Sequence, residues 1–263
     1  MDPLQATILG LIQGTTEWLP VSSTGHLRIA EHFFGLTVPL LFDVLLHFGT
    51  LIVILLFFRK DVKNILGALA KGDFKSENGK LILLIIVGTV PTVLIGFFLG
   101  NTLDTYFSNL PALGGGFIVS AVVLYGSKFG NETKENITYI EALLIGTAQG
   151  IAIVPSISRS GMTIAVALLL GMRKEKAFKF SFLLSVPSII GALGLTFYEQ
   201  HGLLPLAGIG LTEIVVGVAV SIVVSFLALK LLWRTLASRK FYLFAIYCAA
   251  LGVVLIALSF AGF

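Results

Sequence analysis

Charged residues and cysteine are both scarce in this 263-residue sequence. Only 12% of the residues are Asp, Glu, Lys or Arg, whereas 56% are hydrophobic and the mean hydropathy is +0.98. That balance excludes an ordinary soluble domain and is typical of an integral membrane protein. The one cysteine, Cys248, stands in an apolar run, so an internal disulfide is impossible and no cysteine-based metal or redox site is expected.

Two further absences narrow the class of protein. The amino terminus has no basic segment, and Glu17 and Trp18 interrupt its apolar stretch, so we do not expect a cleavable signal peptide. The formal charge is +4, but the basic residues form no patch with interleaved exposed aromatics. We therefore expect membrane lipids, and no nucleic acid, as the environment that the basic residues contact.

Apolar runs long enough to span a bilayer occur six times, and each is close to the roughly 20 residues that a spanning helix needs. They lie near residues 39–58, 80–100, 111–127, 180–198, 211–232 and 241–262. No long polar linker separates them, so residues 1–263 are predicted to form a single membrane domain.

The sequence also repeats itself at a spacing of 136 residues. Residues Ala6, Gly10, Gln13, Gly14 and Gly25 recur as Ala142, Gly146, Gln149, Gly150 and Gly161, and Pro20 recurs as Pro155 with a one-residue slip. Paired apolar segments that Gly and Pro interrupt at corresponding places point to a binding site where two repeats of a membrane protein meet.

Both copies of the repeat lie outside the six long runs, in segments 4–35 and 139–172. Proline and a cluster of Ser, Thr and Gly break each segment in the middle, which predicts a re-entrant helix hairpin. Each half, about 1–130 and 131–263, is then one hairpin plus three transmembrane helices. Because three is odd, the second half must start on the opposite side. The expected fold is an all-α integral membrane protein with an inverted-topology repeat.

The basic residues test this layout through the positive-inside rule. With the amino terminus outside, 16 of the 18 Lys and Arg residues fall on one side of the membrane: Arg59, Lys60, Lys63, Lys71, Lys75, Lys80, Lys128, Lys134, Arg173, Lys174, Lys176, Lys179, Lys230, Arg234, Arg239 and Lys240. The loops 101–110 and 199–210 on the other side have neither Lys nor Arg. The basic loops are therefore predicted to be cytoplasmic, at the cell membrane.

Three ionisable residues inside the broken segments require an explanation, because charge is costly at membrane depth. They are Glu17, His26 and Arg159. Gln13 stands four residues before Glu17 and shares its helix face. The guanidinium of Arg159 suits bidentate contact with phosphate.

Small polar residues follow both breaks. They are Ser22, Ser23, Thr24 and Gly25 in the first segment, and Ser158, Ser160 and Gly161 in the second. Hydroxyl residues at these places predict helix N-caps, and helix N-termini are ready anion sites. If the hairpins meet, the site suits a phosphate or diphosphate.

A carboxylate beside a phosphate is explained when a divalent cation lies between them. We expect Mg²⁺ or Ca²⁺, bound by Glu17 and by substrate oxygens. His26 and the hydroxyls can supply a nucleophile and acid–base chemistry. The residues alone leave open which group attacks.

These motifs resemble those of the undecaprenyl-diphosphate phosphatases, the bacitracin-resistance proteins. The resemblance rests on Gln13-x-x-x-Glu17, on residues 20–26 (PVSSTGH), on residues 42–50 (FDVLLHFGT) and on residues 155–161 (PSISRSG). It covers essentially the whole chain. It implies a membrane phosphatase that converts a polyprenyl diphosphate to the monophosphate and recycles the lipid carrier of cell-wall or surface-glycan synthesis, at a site facing outward.

The resemblance also implies roles for individual residues. Glu17 would bind metal or transfer a proton, Ser23 would be the nucleophile and His26 its base, with a histidine nucleophile as the alternative. Arg159 would hold the diphosphate. Substrate contacts are expected from Gln13, Ser22, Thr24, Gly25, Ser158, Ser160 and Gly161. The family usually has Gly where this chain has Ser156, and losing a residue that permits positive φ predicts an altered loop there.

Three further expectations concern the surroundings of the site and the alternative function. Asp43 and His47 lie four residues apart on one helix face, and we expect them to support the first hairpin. The loop 59–79 is predicted to lie as an interfacial helix against anionic lipid. The alternative function is a polyprenyl-phosphate flippase or other transporter, because inverted repeats with broken helices are typical of transporters. A transporter, however, would not need a histidine aligned with a serine.

Overall fold

A computed structural model describes residues 1–35, 38, 40–107, 109–199 and 209–261, and these ranges form eleven α-helices. The first half contains α1 (Pro3–Thr16), α2 (Ser23–Phe34), α3 (Leu40–Phe57), α4 (Arg59–Ala70), α5 (Glu77–Phe107) and α6 (Leu110–Gly126). The second half contains α7 (Tyr139–Ile151), α8 (Arg159–Leu169), α9 (Lys174–Glu199), α10 (Leu211–Ala237) and α11 (Phe244–Phe260). Short 3-10 turns at Ser127–Phe129 and Phe241–Leu243 follow α6 and precede α11.

The described helices include five that are long and apolar enough to cross a membrane. They are Glu77–Gly100, Leu110–Phe129, Lys174–Thr196, Leu211–Ala237 and Phe241–Phe260. A sixth span results when Phe42–Phe57 and Arg59–Ala70, which meet at an angle of 82°, are counted as one broken span. The prediction of an all-α membrane fold is confirmed.

The helix α4 covers much of the segment that was expected to lie along the membrane surface. Its sharp angle to α3 is the geometry that such an interfacial helix requires, and Arg59, Lys60 and Lys63 at its start are exposed. Its contact with lipid stays a prediction. Of the two loops without Lys or Arg, residue 108 and residues 200–208 lie outside the described residues.

The repeated sequence begins its two helices in the same way. Asp2 and Gln5 form a capping box at the start of α1, and Thr138 and Glu141 form one at the start of α7, 136 residues later. In each box the cap side chain accepts a backbone N–H, and the third helical residue bonds back to the cap. Both broken segments therefore start at a defined residue.

Helices of the two halves pack reciprocally. Helix α1 packs against α10, whereas α7 packs against α5, and α6 packs against α11. Glycines permit the first two contacts: Gly10 lies against the backbone of Gly217, and Gly146 lies against the backbone of Gly88. Small residues at such crossings let two helix backbones approach closely. The first helix of each half thus packs against a long helix of the other half, as two repeats related by a two-fold axis would. The inversion across a membrane stays a prediction.

Candidate active site

Both predicted helix breaks are present in the described residues. The first separates α1 from α2, and Ser22 is the N-cap of α2, where its Oγ accepts a bond of 3.4 Å from the backbone N–H of Gly25. The second separates α7 from α8, and Ser158 Oγ accepts a bond of 3.1 Å from the N–H of Gly161. Each break thus ends with a serine that caps the next helix.

The two breaks touch each other. Ser160 Oγ donates a hydrogen bond of 3.2 Å to the backbone carbonyl of Leu19. A Cβ added to Gly161 would lie 3.2 Å from Pro20 Cβ, and a Cβ added to Gly25 would lie 3.0 Å from Ser156 Cα. The small residues after both prolines are therefore what allows the hairpins to meet.

Glu17 is the centre of this contact and is 6% exposed. Its Oε2 accepts hydrogen bonds from Ser23 Oγ at 2.6 Å and from Gln13 Nε2 at 3.1 Å. Its Oε1 accepts from Arg159 Nη2, which comes from the other half of the chain. The structure therefore joins four predicted site residues through one carboxylate.

Two basic side chains lie beside the Glu17 carboxylate. Arg159 pairs with it directly, and His47 Nε2 on α3 lies 3.6 Å from Oε2. Burying a carboxylate without such partners would cost several kcal/mol. The Arg159 side chain is 20% exposed, so a ligand can still reach it. An anionic group that binds there would compete with Glu17 for the guanidinium.

His47 has the supporting position that was expected from its spacing with Asp43. Its Nδ1 lies 2.8 Å from the backbone carbonyl of Asp43, which can only accept, so this nitrogen carries the hydrogen. Nε2 attracts the Glu17 carboxylate when the imidazole carries a hydrogen on that nitrogen too. In that protonated form, His47 places positive charge on the side of Glu17 that faces α3.

His26 is held apart from Ser23. Its Nδ1 lies 2.7 Å from the backbone carbonyl of Ser22, and its Nε2 lies 2.6 Å from the Tyr247 hydroxyl on α11. The imidazole also stacks on the Tyr247 ring, with centroids 5.7 Å apart, and meets the edge of Phe117. The expected pairing of Ser23 with His26 is not what the structure shows, because the Ser23 hydroxyl turns to Glu17 and both ring nitrogens of His26 have other partners.

Tyr247 belongs to no motif that the sequence indicated. It is 221 residues from His26 in the chain, and it stands in an apolar run where a tyrosine is ordinary. The carbonyl of Ser22 requires the hydrogen on Nδ1, so in the neutral ring the tyrosine hydroxyl donates to Nε2. A single sequence carries no signal for this contact.

Ser156 adopts the conformation that a glycine would favour. Its φ is +67°, in the left-handed region, and the residue is fully buried. Its hydroxyl donates a bond of 2.6 Å to the carbonyl of Leu113, and Ser120 Oγ accepts a bond of 3.0 Å from the N–H of Ser158. The serine therefore keeps a loop conformation that costs roughly 1–2 kcal/mol outside glycine.

The remaining predicted contacts differ in exposure. Thr24 is exposed on the first turn of α2, while Ser22, Ser23 and Gly25 beside it are buried. Ser158 and Ser160 are buried, and their hydroxyl oxygens lie 3.4 Å apart. Of these hydroxyls, Ser23 is the one that bonds Glu17.

The donor set around Glu17 limits how a divalent cation could bind. Among the described residues, no group of three or more His, Cys, Asp or Glu side chains could hold a metal ion. Glu17 already accepts from three donors, but the buried Oε1 of Gln13 has no partner. Two oxygen-bearing side chains fit a cation that arrives with phosphate oxygens, and they do not form a complete protein cage.

Comparison with known proteins identifies the family. The family model described as bacitracin resistance protein BacA matches residues 6–254. An undecaprenyl-diphosphatase of Carboxydothermus hydrogenoformans is 42% identical over 269 residues, which cover 100% of this chain and 99% of that protein.

More distant relatives match with similar coverage. An undecaprenyl-diphosphatase of Methanosphaera stadtmanae is 37% identical, over 98% of this chain and 99% of that protein. The undecaprenyl-diphosphatase 3 of Bacillus cereus is 38% identical, over 99% of this chain and 98% of that protein. These matches confirm the resemblance that the motifs indicated. With its apolar helices, the chain is a multi-pass membrane protein, and it belongs to the bacitracin resistance protein BacA family.

Proposed function

We propose that this protein hydrolyses undecaprenyl diphosphate, or a similar long-chain polyprenyl diphosphate, to the monophosphate and inorganic phosphate. The relatives that match it over nearly their whole length are named undecaprenyl-diphosphatases. Such hydrolysis recycles the lipid carrier on which cell-wall or surface-glycan precursors are built. The isoprenoid tail would lie among the apolar spans while the diphosphate binds at the two breaks.

One observation carries the assignment of the chemistry. Ser23 Oγ lies 2.6 Å from Glu17 Oε2, and the same carboxylate contacts the Arg159 guanidinium. A hydroxyl bonded to a carboxylate can lose its proton as it attacks, and a neighbouring guanidinium stabilises charge on phosphoryl oxygens. These three groups supply a nucleophile, a proton acceptor and an anion-binding group.

The proposed reaction has two steps. Ser23 Oγ attacks the terminal phosphorus while Glu17 takes the hydroxyl proton, and polyprenyl monophosphate leaves as the bond to its bridging oxygen breaks. Glu17 gives that proton to the departing monophosphate and is again a carboxylate. Water then attacks the phosphoserine while Glu17 takes a proton from it, and Glu17 passes this proton to Ser23 Oγ as the bond between phosphorus and Oγ breaks and inorganic phosphate leaves. Glu17 therefore takes the base role that the sequence suggested for His26, because Glu17 is the group in contact with the serine.

Arg159 changes partners in this scheme. It is paired with Glu17 in the structure, and the incoming diphosphate would replace the carboxylate on the guanidinium. Releasing Glu17 from Arg159 removes one positive neighbour that opposes proton uptake by its carboxylate. Binding of the anion and activation of the nucleophile are thereby coupled.

His26 keeps a second role open. Its Nε2 holds the lone pair in the neutral ring, and the Tyr247 hydroxyl donates to it. If this hydroxyl moves to a substrate oxygen, the lone pair of Nε2 becomes free to attack phosphorus directly. A phosphohistidine intermediate is the alternative to phosphoserine.

We propose that Mg²⁺ or Ca²⁺ enters with the diphosphate. Glu17 and the unpartnered Oε1 of Gln13 would hold it together with phosphate oxygens. The bound cation would neutralise phosphate charge and favour departure of the monophosphate.

The proposed orientation follows from the distribution of basic residues. The amino terminus lies outside, the basic loops are cytoplasmic and the site opens to the outer face of the cell membrane. Cys248 is buried, so a cysteine introduced at exposed Lys71 can be labelled selectively. Labelling of that cysteine from outside intact cells would contradict this orientation.

Phosphate release by purified protein in detergent tests the proposed function. Farnesyl diphosphate and a long polyprenyl diphosphate are supplied with Mg²⁺, Ca²⁺ or EDTA, and Arg159→Ala is assayed beside the wild type. We expect metal-dependent release that falls at least about 10²-fold in Arg159→Ala. If folded wild-type protein binds polyprenyl phosphate but releases no phosphate from the diphosphates, the result would contradict hydrolysis and favour the transporter. The reciprocal packing of the two halves resembles the usual architecture of transporters.

A further inference from the structure

A small pocket lies beside Arg159, between the first break, α8 and α9. Its volume is about 10 Å³, which is the room that one water molecule needs. Trp18, Arg159 and Ser181 lie on its wall together with the ring of Phe182. The indole of Trp18 and the ring of Phe182 meet edge to face at 5.4 Å, so the site is partly walled by aromatic rings.

Three polar atoms of this wall are buried without a hydrogen-bond partner in the protein. They are Trp18 Nε1, Arg159 Nη1 and Ser181 Oγ. An unpaired buried polar atom costs roughly 1–3 kcal/mol, so three around one cavity are unusual. Because the three residues line one pocket, a single small ligand in it could satisfy all three atoms.

The other hydroxyls of the wall are already satisfied. Ser160 Oγ donates to the carbonyl of Leu19, Thr163 Oγ1 donates to the carbonyl of Arg159, and Ser185 Oγ donates to the carbonyl of Phe182. The unsatisfied atoms are therefore a specific subset of the wall and not a general feature of its polar residues.

The unpaired atoms define the chemistry of the ligand. Indole and guanidinium nitrogens can only donate, whereas a serine oxygen can also accept. We propose that the cavity binds one water molecule, which accepts hydrogen bonds from Trp18 Nε1 and Arg159 Nη1 and donates one to Ser181 Oγ. Three bonds are the usual number for a buried water.

The charge around the cavity favours water over a small anion. Arg159 already pairs with the Glu17 carboxylate, so the guanidinium has no uncompensated charge for a halide to neutralise. A chloride ion is also larger than the water molecule that the cavity accommodates. Neutral water satisfies the three atoms without placing an additional charge in the interior.

The bound water determines the orientation of Arg159. It would hold Nη1, while Glu17 holds Nη2 and the guanidinium lies 5.6 Å from the centre of the Trp18 ring. Trp18 and Ser181 are then positioning residues that act through Arg159. This consequence rests on the proposed function, in which Arg159 binds the diphosphate, but the water site itself does not.

A structure at a resolution that shows ordered water tests the site directly. We expect one peak within hydrogen-bond distance of Trp18 Nε1, Arg159 Nη1 and Ser181 Oγ. Crystals grown with bromide in place of chloride should show no anomalous signal there. An empty cavity, or a bromide peak in it, would overturn the proposal, and this result does not depend on whether the protein hydrolyses diphosphates.

Kinetics of matched variants test the effect on Arg159. Ser181→Ala and Trp18→Phe each remove one partner of the water, and each should raise KM for the diphosphate roughly threefold to tenfold with a smaller change in kcat. Ser185→Ala removes a hydroxyl of the same wall that is already bonded to Phe182, so its KM should match the wild type.

Ser181→Ala decides the outcome if Trp18→Phe does not fold, since Trp18 is fully buried. An unchanged KM in Ser181→Ala, or an equal rise in Ser185→Ala, would overturn the positioning role. If the wild type releases no phosphate, the affinity for polyprenyl phosphate replaces KM as the measured quantity. A failure of the proposed function and a failure of this inference therefore give different results.

Discussion

The break between α1 and α2 and the break between α7 and α8 begin their second helices with the same contact. In each, a serine caps the helix and accepts from the N–H of a glycine three residues later, Gly25 in the first and Gly161 in the second. The positions that carry chemistry differ. Glu17, Ser23 and His26 of the first break correspond to Ile153, Arg159 and Met162 of the second.

In the proposed reaction, the two halves of the repeat share a structure and divide the chemistry between them. The first break supplies the carboxylate, the hydroxyl and the imidazole, whereas the second supplies the guanidinium. Neither set alone makes a site for diphosphate hydrolysis, and the contact between Glu17 and Arg159 unites them. Two identical breaks would place like charges together, which is costly in a buried site.

The backbones of the two breaks also differ. The residue with positive φ is the N-cap Ser22 in the first break, but it is Ser156, two residues before the N-cap Ser158, in the second. The proline moves in the same direction, but by one residue, from Pro20 to Pro155, whereas the residue with positive φ moves by two. The repeat therefore conserves the cap while the path of the chain into it changes.

Of the variants that compare the two breaks, the one that removes the carboxylate from the first break should lose the most turnover. Glu17→Gln keeps the size of the side chain but cannot accept the Ser23 proton, so phosphate release should fall at least about 10³-fold. The measurement is phosphate release by variants that elute as folded protein from a sizing column.

The matched control for Glu17→Gln is Ile153→Gln at the equivalent place in the second break. This variant should keep turnover close to that of the wild type, because no catalytic group occupies that place. More than a tenth of wild-type turnover in Glu17→Gln would refute its role as proton acceptor.

Ser23→Ala should lower turnover by about 10²- to 10³-fold, because it removes the proposed nucleophile from the first break. Trapping with labelled diphosphate sharpens this prediction, since a phosphoserine survives acid whereas a phosphohistidine does not. An acid-stable phosphoprotein that is lost in Ser23→Ala is expected. Full turnover in Ser23→Ala would instead assign the attack to His26 or to water.

The equivalent glutamines should separate activity from stability. Gln13 bonds Glu17, whereas Gln149 bonds Thr92 Oγ1 at 3.2 Å and Ser188 Oγ at 2.8 Å. Gln13→Ala should lower turnover roughly tenfold at nearly unchanged stability, because it removes a contact of the catalytic carboxylate.

Gln149→Ala should give the opposite result. It should destabilise the protein by about 1 kcal/mol, because it removes two interhelical bonds, and it should leave turnover nearly unchanged. Phosphate release and thermal unfolding in detergent measure the two effects. Equal losses of turnover in both glutamine variants would mean that the halves contribute symmetrically.

The smallest difference between the two breaks is expected when each of the equivalent glycines is replaced by alanine. A Cβ at position 25 would lie 2.7 Å from Phe117 Cζ and 3.0 Å from Ser156 Cα, whereas one at position 161 would lie 3.1 Å or more from its neighbours. Gly25→Ala should destabilise the protein by about 1–3 kcal/mol, and Gly161→Ala by less than about 1 kcal/mol. Thermal unfolding decides the order, and the reverse order would show that the second break is the tighter one.

Much of the fold was predictable because the signals that define it are local. Apolar runs predicted the long helices α5, α6, α9, α10 and α11, and proline with hydroxyl residues predicted both breaks. The caps at Ser22 and Ser158 were also predictable, since a cap bonds within a few residues of itself. At Ser156 we expected an altered loop, whereas buried contacts hold this serine in a conformation typical of glycine.

The residues that form the candidate site were easier to predict than the contacts between them. Glu17 and Arg159 could be named because charge is costly inside an apolar sequence, and the resemblance to the phosphatase family singled out Ser23 among the hydroxyls. Their pairing could not be derived in the same way. The serine lies beside both a glutamate and a histidine in the chain, and only the direction of each side chain selects Glu17.

The sequence by itself determined the membrane class, the helices, the repeat and the two capped breaks, because hydropathy, proline and capping residues act over a few turns of the chain. The tertiary structure decided which groups meet. Glu17 and Arg159 are 142 residues apart, and His26 and Tyr247 are 221 apart, so both contacts depend on how helices of the two halves pack. Each buried polar group must find a partner within hydrogen-bond reach, and the packing of distant helices determines which partner that is.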